Sequence, residues 1–310
     1  MATAELTAPD NTSTATGTTG RSGTGFFRWV MVLPTMLGLL AIVGFPIAYA
    51  LYIALHKYDL TEGGIGPWVR MRNFQDVLGM SVFTQAVRNT VVLTISVVVI
   101  ELIVAFGLAL LLNQPGLRFR NFYLAVLLIP LLVSPIAVGL IWRLLLHPDL
   151  GAVNWVFSQI GLAPQEWLSK KSSAMPAVIG VDVWHETSLL LVVLLAGLAS
   201  LPREPIEAAR VDGANAAQIL WTVTIPLMAP VILIAALIRM ISAMKTYDLI
   251  YILTSGGPGG ATETISFRIW KIGFTNLNMG QAAAASILLL LAIMALTLVL
   301  IRVMRRDAPV

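Results

Sequence analysis

Long apolar runs that return at intervals are the feature that most limits what this chain can fold into. They lie at roughly 29–55, 85–112, 122–146, 175–200, 225–245 and 280–303. A helix of about 20 apolar residues crosses the roughly 30 Å hydrocarbon core of a bilayer, and each run is long enough to do so. Backbone groups in lipid must be paired within their own segment, so the runs read as six transmembrane helices in an all-α integral membrane protein. Composition excludes the soluble alternative. The chain is 57% hydrophobic and only 12% charged, where soluble domains carry about 25% charged residues. A core cannot absorb that much apolar surface, because the exterior of a soluble domain must still meet water.

The connections fill in the topology. Residues 1–28 are rich in Thr, Ser, Ala and Gly and read as a disordered tail. The first apolar run is longer than a signal-peptide core, so it is taken as an uncleaved span. Polar connections follow at 56–84, 113–121, 147–174 and 246–279. Arg118, Arg120, Arg203, Arg210, Arg302, Arg305 and Arg306 fall on the side of the N-terminus, in short segments near span ends. The other side carries nearly as many cations, among them Lys57, Arg70, Arg72, Lys170, Lys171, Arg268 and Lys271, but the positive-inside rule has most force in short segments near span ends and so favours a cytoplasmic N-terminal side. Both termini are then cytoplasmic, with a permease body over 29–303 and a short tail at 304–310. The absence of cysteine excludes disulfides and thiolate metal sites. A net charge of +4 without a basic block gives no sign of nucleic-acid binding.

Residues 201–224 are the odd connection, amphipathic and charged rather than loose. Glu207, Ala208 and Ala209 suit a helix, Gly213 follows Asp212 at a break, and the helix can resume towards Pro226. Ala208, Ala209, Ala214, Ala216 and Ala217 leave room for another surface to approach. Asp212 and Glu207 are placed to accept hydrogen bonds or to cap the second helix. On the residues alone, this helix–turn–helix is either a docking surface or an elbow that merely joins two spans.

The arrangement Glu207–Ala208–Ala209, Asp212–Gly213–Ala214 and then Ile225–Pro226 resembles the signature of inner-membrane permease subunits of binding-protein-dependent ABC importers. The position before Trp221, often Phe in that family, is Leu220 here. Pro130, Ser134, Pro135, Trp142, Arg143, Gly151 and Asn154 resemble the sugar-type permeases, as does the loop 253–274 with Gly256–Gly257–Pro258. The resemblance covers about residues 29–305. It implies a type I importer fold with elbow 201–224 on the cytoplasmic surface of the cell (plasma or inner) membrane. It implies a heterodimer with a second permease, two copies of an ATPase subunit that use ATP and Mg, and an extracytoplasmic solute-binding protein. Cargo would be a sugar, an oligosaccharide, a polyol or glycerol phosphate. Glu207, Ala208, Ala209, Asp212, Gly213 and Ala214 would couple rather than catalyse, with no cofactor on this chain.

Other segments fit that division of labour. The run at 256–260 lacks the lysine of a GxxxxGK[ST] phosphate loop. It is a turn in an outer loop, or a contact for the docked binding protein. Ionisable residues inside spans face protein or a wet cavity. Glu101 and Arg239 read as partners within the bundle. Asp182, Trp184, His185 and Glu186 cluster in the fourth run. Asp182 and Glu186 share a helix face, so the group either lines the pathway and bonds sugar hydroxyls or ties helices together. No metal site follows from the spacing. Tyr247 and Tyr251 either stack on a sugar or anchor a span end, and Asn276 and Asn278 either bind hydroxyls or cap the final helix. Pro130 and Pro135 should bend the third span. The rival reading is an ion-gradient transporter, whose mark would be inverted repeats, and none is evident. A membrane-embedded enzyme would need a convergent catalytic set.

Overall fold

A computed structural model describes residues 24–306, with side chains from 29 to 302. Of the tail expected over 1–28, residues 1–23 lie outside the described residues and 24–28 open the first helix. Residues 307–310 of the second expected tail also lie outside them. The chain divides into two units, through Tyr49 and from Ala50 onward. In the first, α1 (Thr24–Leu39) passes through a π turn at Leu40–Gly44 into α2 (Phe45–Ala54). The apolar stretch from Trp29 is not buried within the protein. A helix that is apolar on every face and unburied by protein needs lipid around it.

The second unit opens with an antiparallel hairpin, β1 (His56–Asp59) and β2 (Gly64–Trp68). Among the described residues, this hairpin is the one addition to the all-α expectation. Then come α3 (Arg72–Gly79), α4 (Ser81–Leu112), α5 (Arg120–Leu128), α6 (Pro135–Leu145) and α7 (Ala152–Gln159). After α8 (Lys171–Ala199), the short α9 (Glu204–Val211) and α10 (Ala216–Ile219) lead into α11 (Ile225–Met244). The chain ends with α12 (Asp248–Leu253), α13 (Ile265–Trp270) and α14 (Met279–Arg306). Among the described residues, five helical stretches are long and apolar enough to span a bilayer, and α5 with α6 makes a sixth if the bent pair is one span.

That pair is bent by 98°. The break lies between Pro130 and Pro135, as the prolines require: Pro135 has no N–H for the preceding turn, and its ring collides with the carbonyl four residues back. Ser134 caps the new start, its Oγ accepting from the Ala137 amide at 3.4 Å. The break leaves carbonyls without helical donors, which is costly in lipid. Helix α8 supplies replacements. Ser188 Oγ donates to the Leu127 carbonyl at 2.6 Å, and His185 Nε2 lies 3.0 Å from the Val133 carbonyl.

Helices α4, α8 and α11 form the centre. One buried layer contains Leu93, Val97, Val178, Val181 and Ile250. Another contains Ala105, Ala109, Leu190, Leu194 and Met228. Between these layers sit three charges. Arg239 Nε and Nη2 donate to the two oxygens of Glu101 at 2.5 and 2.9 Å, and Nη2 also donates to Asp182. Arg239 is 1% and Glu101 0% exposed. The two-pronged pairing suits the planar guanidinium and matches the expectation for Glu101 and Arg239. Helices α8 and α11 approach closely at Gly197, where an added Cβ would lie 2.8 Å from a Val231 methyl.

Removing one member of a buried ion group strands the others, at about 3–5 kcal/mol, whereas replacing the whole group by apolar residues is near neutral. Arg239→Met is therefore expected to lower the thermal midpoint of the detergent-solubilised protein. Arg239→Met with Glu101→Met and Asp182→Leu should recover most of the loss. A triple variant as unstable as the single one would contradict this. Gly197→Val should also destabilise, by about 1–3 kcal/mol from overpacking.

Candidate functional site

The elbow forms as a capped helix–turn–helix. Helix α9 closes with Gly213 at φ +84°, a conformation in which only glycine avoids a Cβ penalty. The Ala214 amide reaches the Ala209 carbonyl at 2.9 Å and the Gly213 amide reaches the Arg210 carbonyl at 3.1 Å. This pair is a Schellman closure. The second helix is capped by Asn215 rather than by Asp212 or Glu207. Asn215 Oδ1 accepts from the Gln218 amide at 2.9 Å, and Gln218 Oε1 accepts from the Asn215 amide at 2.8 Å. A short Asn side chain directly before the helix gives this reciprocal box, while Asp212 terminates α9 instead.

Helix α10 does not stop at Pro226. A π turn at Leu220–Thr224 carries it into α11, so Ala216–Met244 is one helical stretch of 29 residues. Pro226 follows the π turn directly and Pro230 lies one turn further on, so both interrupt the hydrogen bonds of this stretch without ending it. Glu207, Ala208, Asp212 and Gly213 are exposed, and Ala209 and Ala214 half-buried. Val211 and Trp221 stand out as apolar side chains 87% and 70% exposed. Beside α9, a groove is lined by Arg203, Ile206, Glu207 and Arg210 on one side and by Asn113, Pro115 and Leu198 on the other.

At the opposite end of α11, a cavity of about 180 Å³ lies against α8. Asp182, His185 and Glu186 line it together with Ser242, Lys245, Thr246, Tyr247 and Asp248. His185 Nδ1 is 3.2 Å from Glu186 Oε1. With the Val133 carbonyl on its other nitrogen, the ring faces an acceptor on both sides. Trp184 does not join this group. It lies two residues from both Asp182 and Glu186, about 200° around the helix. Instead it lines an apolar cavity with Val104, Leu108 and Val126, and packs edge-on against Trp142 at 5.5 Å. Within the segment from Ser242 to Asp248 the residues alone single out Tyr247, and the structure adds Ser242, Lys245, Thr246 and Asp248 to the wall. The sequence signal for those four is a polar run directly after a span that carries a buried Arg. Burial, together with Tyr251 and Asp248, pushes the Tyr247 phenol above its ordinary value, so it remains a neutral hydroxyl.

The glycine loop folds back onto α4. Asn89 Nδ2 donates to the carbonyls of Gly260 and Glu263 at 2.8 and 3.0 Å. Gly256 and Gly257 line a cavity of about 390 Å³ with Gln85, Glu263, Arg268 and Lys271. Pro258 follows Gly257 through a cis bond. Asn278 caps α14 by accepting from the Gln281 amide at 3.0 Å. Asn154 uses its whole amide locally, donating to the carbonyls of Pro148 and Gln165 and accepting from the Gln165 amide and the Trp167 indole. Among the described residues, no group of three or more His, Cys, Asp or Glu is placed to hold a metal ion.

A family model described as "binding-protein-dependent transport system inner membrane component" matches residues 102–308. A probable ABC transporter permease protein of Sinorhizobium fredii is 35% identical over 281 residues, covering 90% of this chain and 90% of that one. The trehalose/maltose transport system permease of Thermococcus litoralis is 35% identical over 284 residues, covering 90% of this chain and 94% of that one. A solved bacterial ABC transporter involved in import of the acidic polysaccharide alginate has a chain of the same fold. Its TM-score is 0.80 at 23% identity, with 92% of this chain and 97% of that one covered. The chain is a multi-pass permease and belongs to the family of inner-membrane components of binding-protein-dependent transport systems.

Proposed function

We propose that this chain is one of two permease subunits that form the translocation pathway of an ATP-driven importer for a sugar, oligosaccharide, polyol or related glycerol compound. The observation that carries the reading is the elbow: an exposed, capped helix–turn–helix whose second arm is the start of a spanning helix. In this reading the elbow, with Glu207, Ala208, Ala209, Asp212, Gly213 and Ala214, seats in a partner ATPase subunit. Val211 supplies an apolar knob there. The elbow side is cytoplasmic, and so are both termini. Two ATPase subunits hold ATP and Mg, a second permease completes the pathway, and a solute-binding protein docks on the outer side near Gly256, Gly257 and Pro258.

The helical stretch explains how work would be transmitted. Arg239 lies about 35 Å along the helix from Ala216 at 1.5 Å per residue. Closure of the ATPase pair would tilt the elbow, and the rest of the stretch would follow because it stays helical through the π turn and past Pro226 and Pro230. The cavity of Asp182, His185 and Glu186 sits beyond Arg239 on the same path. It supplies hydroxyl, carboxylate and ammonium groups for a hydroxylated solute. The name of the Thermococcus relative, a trehalose/maltose permease, supports that class of cargo.

In proteoliposomes holding the full complex, solute uptake is expected to stop when ATP or the ATPase subunit is withheld. Uptake that continues without both and follows an ion gradient would overturn the reading. Gly213→Glu should reduce co-purification of the ATPase subunit about tenfold or more, because it combines a positive-φ strain with a bulky charge at the contact. Gly213→Asn, which tolerates that backbone conformation, should retain most of it. Equal retention by both variants would remove the elbow from the interface.

A further inference from the structure

The cavity between α8 and the residues that follow α11 also bears on the charge of the cargo. We infer that the solute passing this wall is uncharged, a neutral polyhydroxyl compound, and that phosphorylated, sulfonated and uronic-acid solutes are rejected. This rests on the reading above that the wall lines the pathway.

Three carboxylates line the cavity, from Asp182, Glu186 and Asp248, against the single ammonium of Lys245. Arg239 behind the wall does not reverse the balance, because Glu101 and Asp182 both hold its guanidinium. His185 is engaged by the Val133 carbonyl and by Glu186. Arg143, the cation of α6, donates to the Ile252 carbonyl at 3.1 Å. With the carboxylates ionised and His185 carrying both ring protons, four carboxylates stand against three cations. An entering phosphate, sulfonate or carboxylate would lose water and find no unopposed cation. Repulsion at short range in a weakly polar surrounding is strong.

Neutral hydroxyls meet the opposite situation. Carboxylates accept O–H donors, and Ser242, Thr246 and Tyr247 add hydroxyls to the same wall. Tyr247 and Tyr251 are stacked at 5.6 Å and tie to Phe267 and Trp270, giving an apolar aromatic surface beside the polar one. That pairing suits a pyranose, which has C–H faces and hydroxyl edges. The chain does have a cation-rich cavity, with Arg268 and Lys271 against Glu263, but it lies in the glycine loop and not on this wall.

The test uses the complete importer with its partner permease, ATPase subunits and binding protein in ATP-loaded proteoliposomes. They are offered a polysaccharide hydrolysate supplemented with maltose, trehalose, sorbitol, glycerol 3-phosphate and trigalacturonate. Solute accumulated in an ATP-dependent way is separated by anion exchange. The expected result is accumulation in the unretained, neutral fraction, in about tenfold or greater excess over the retained fraction. ATP-dependent accumulation of a retained anion would overturn the inference about charge and leave the importer reading intact. No ATP-dependent accumulation in either fraction would overturn the importer reading itself.

Discussion

The guanidinium of Arg239, held between Glu101 and Asp182, is the interaction on which the rest of this structure depends. Each charge comes from a different long helix, α4, α8 and α11. In lipid the apolar effect does little to choose among helix pairings, because neighbouring acyl chains are as apolar as leucine. A buried charge has no such indifference. It must find its partners, and this placement of the three helices lets Arg239 reach both carboxylates. Leu, Val and Ala layers pack on either side of the ion group.

The broken third span obeys the same rule for neutral groups. Proline removes helical donors between residues 128 and 135, and α8 returns them through Ser188 and His185. A break of this kind is tolerated at membrane depth only where protein covers it. His185 therefore has two duties on one ring. It satisfies the Val133 carbonyl and, through Glu186, faces the cavity. The two contacts are compatible, because opposite ring nitrogens meet the two acceptors.

In the proposed coupling, the elbow and the ion group are two points on one rod. The Schellman closure at Gly213 and the box of Asn215 with Gln218 pair the backbone groups at the turn, so it has little freedom of its own. Force applied there would be carried along the helical stretch towards Arg239. The stretch is not a perfect α-helix, since a π turn at Leu220–Thr224 lies between. Such single turns are frequent at functional positions in helices. Leu220 opens that turn, which gives the apolar side chain before Trp221 a structural setting of its own.

Apolar run length by itself determined that this chain spans a membrane several times, because the thickness of hydrocarbon sets the length of each run. Pro130 and Pro135 by themselves located the bend, and Asp212–Gly213 located the turn of the elbow, because ring closure and positive φ are properties of single residues. The intramembrane Glu101 and Arg239 announced themselves as partners, since an unpaired charge there is too costly. Tertiary structure alone decided which carboxylate completed the group. Asp182 and Glu186 share one helix face, yet Asp182 binds Arg239 while Glu186 binds His185. It also separated Trp184 from that face and brought in the segment from Ser242 to Asp248. Those outcomes depend on how α8 and α11 are rotated against each other. Rotation is fixed by contacts between distant residues, such as the close approach at Gly197, and not by any local pattern.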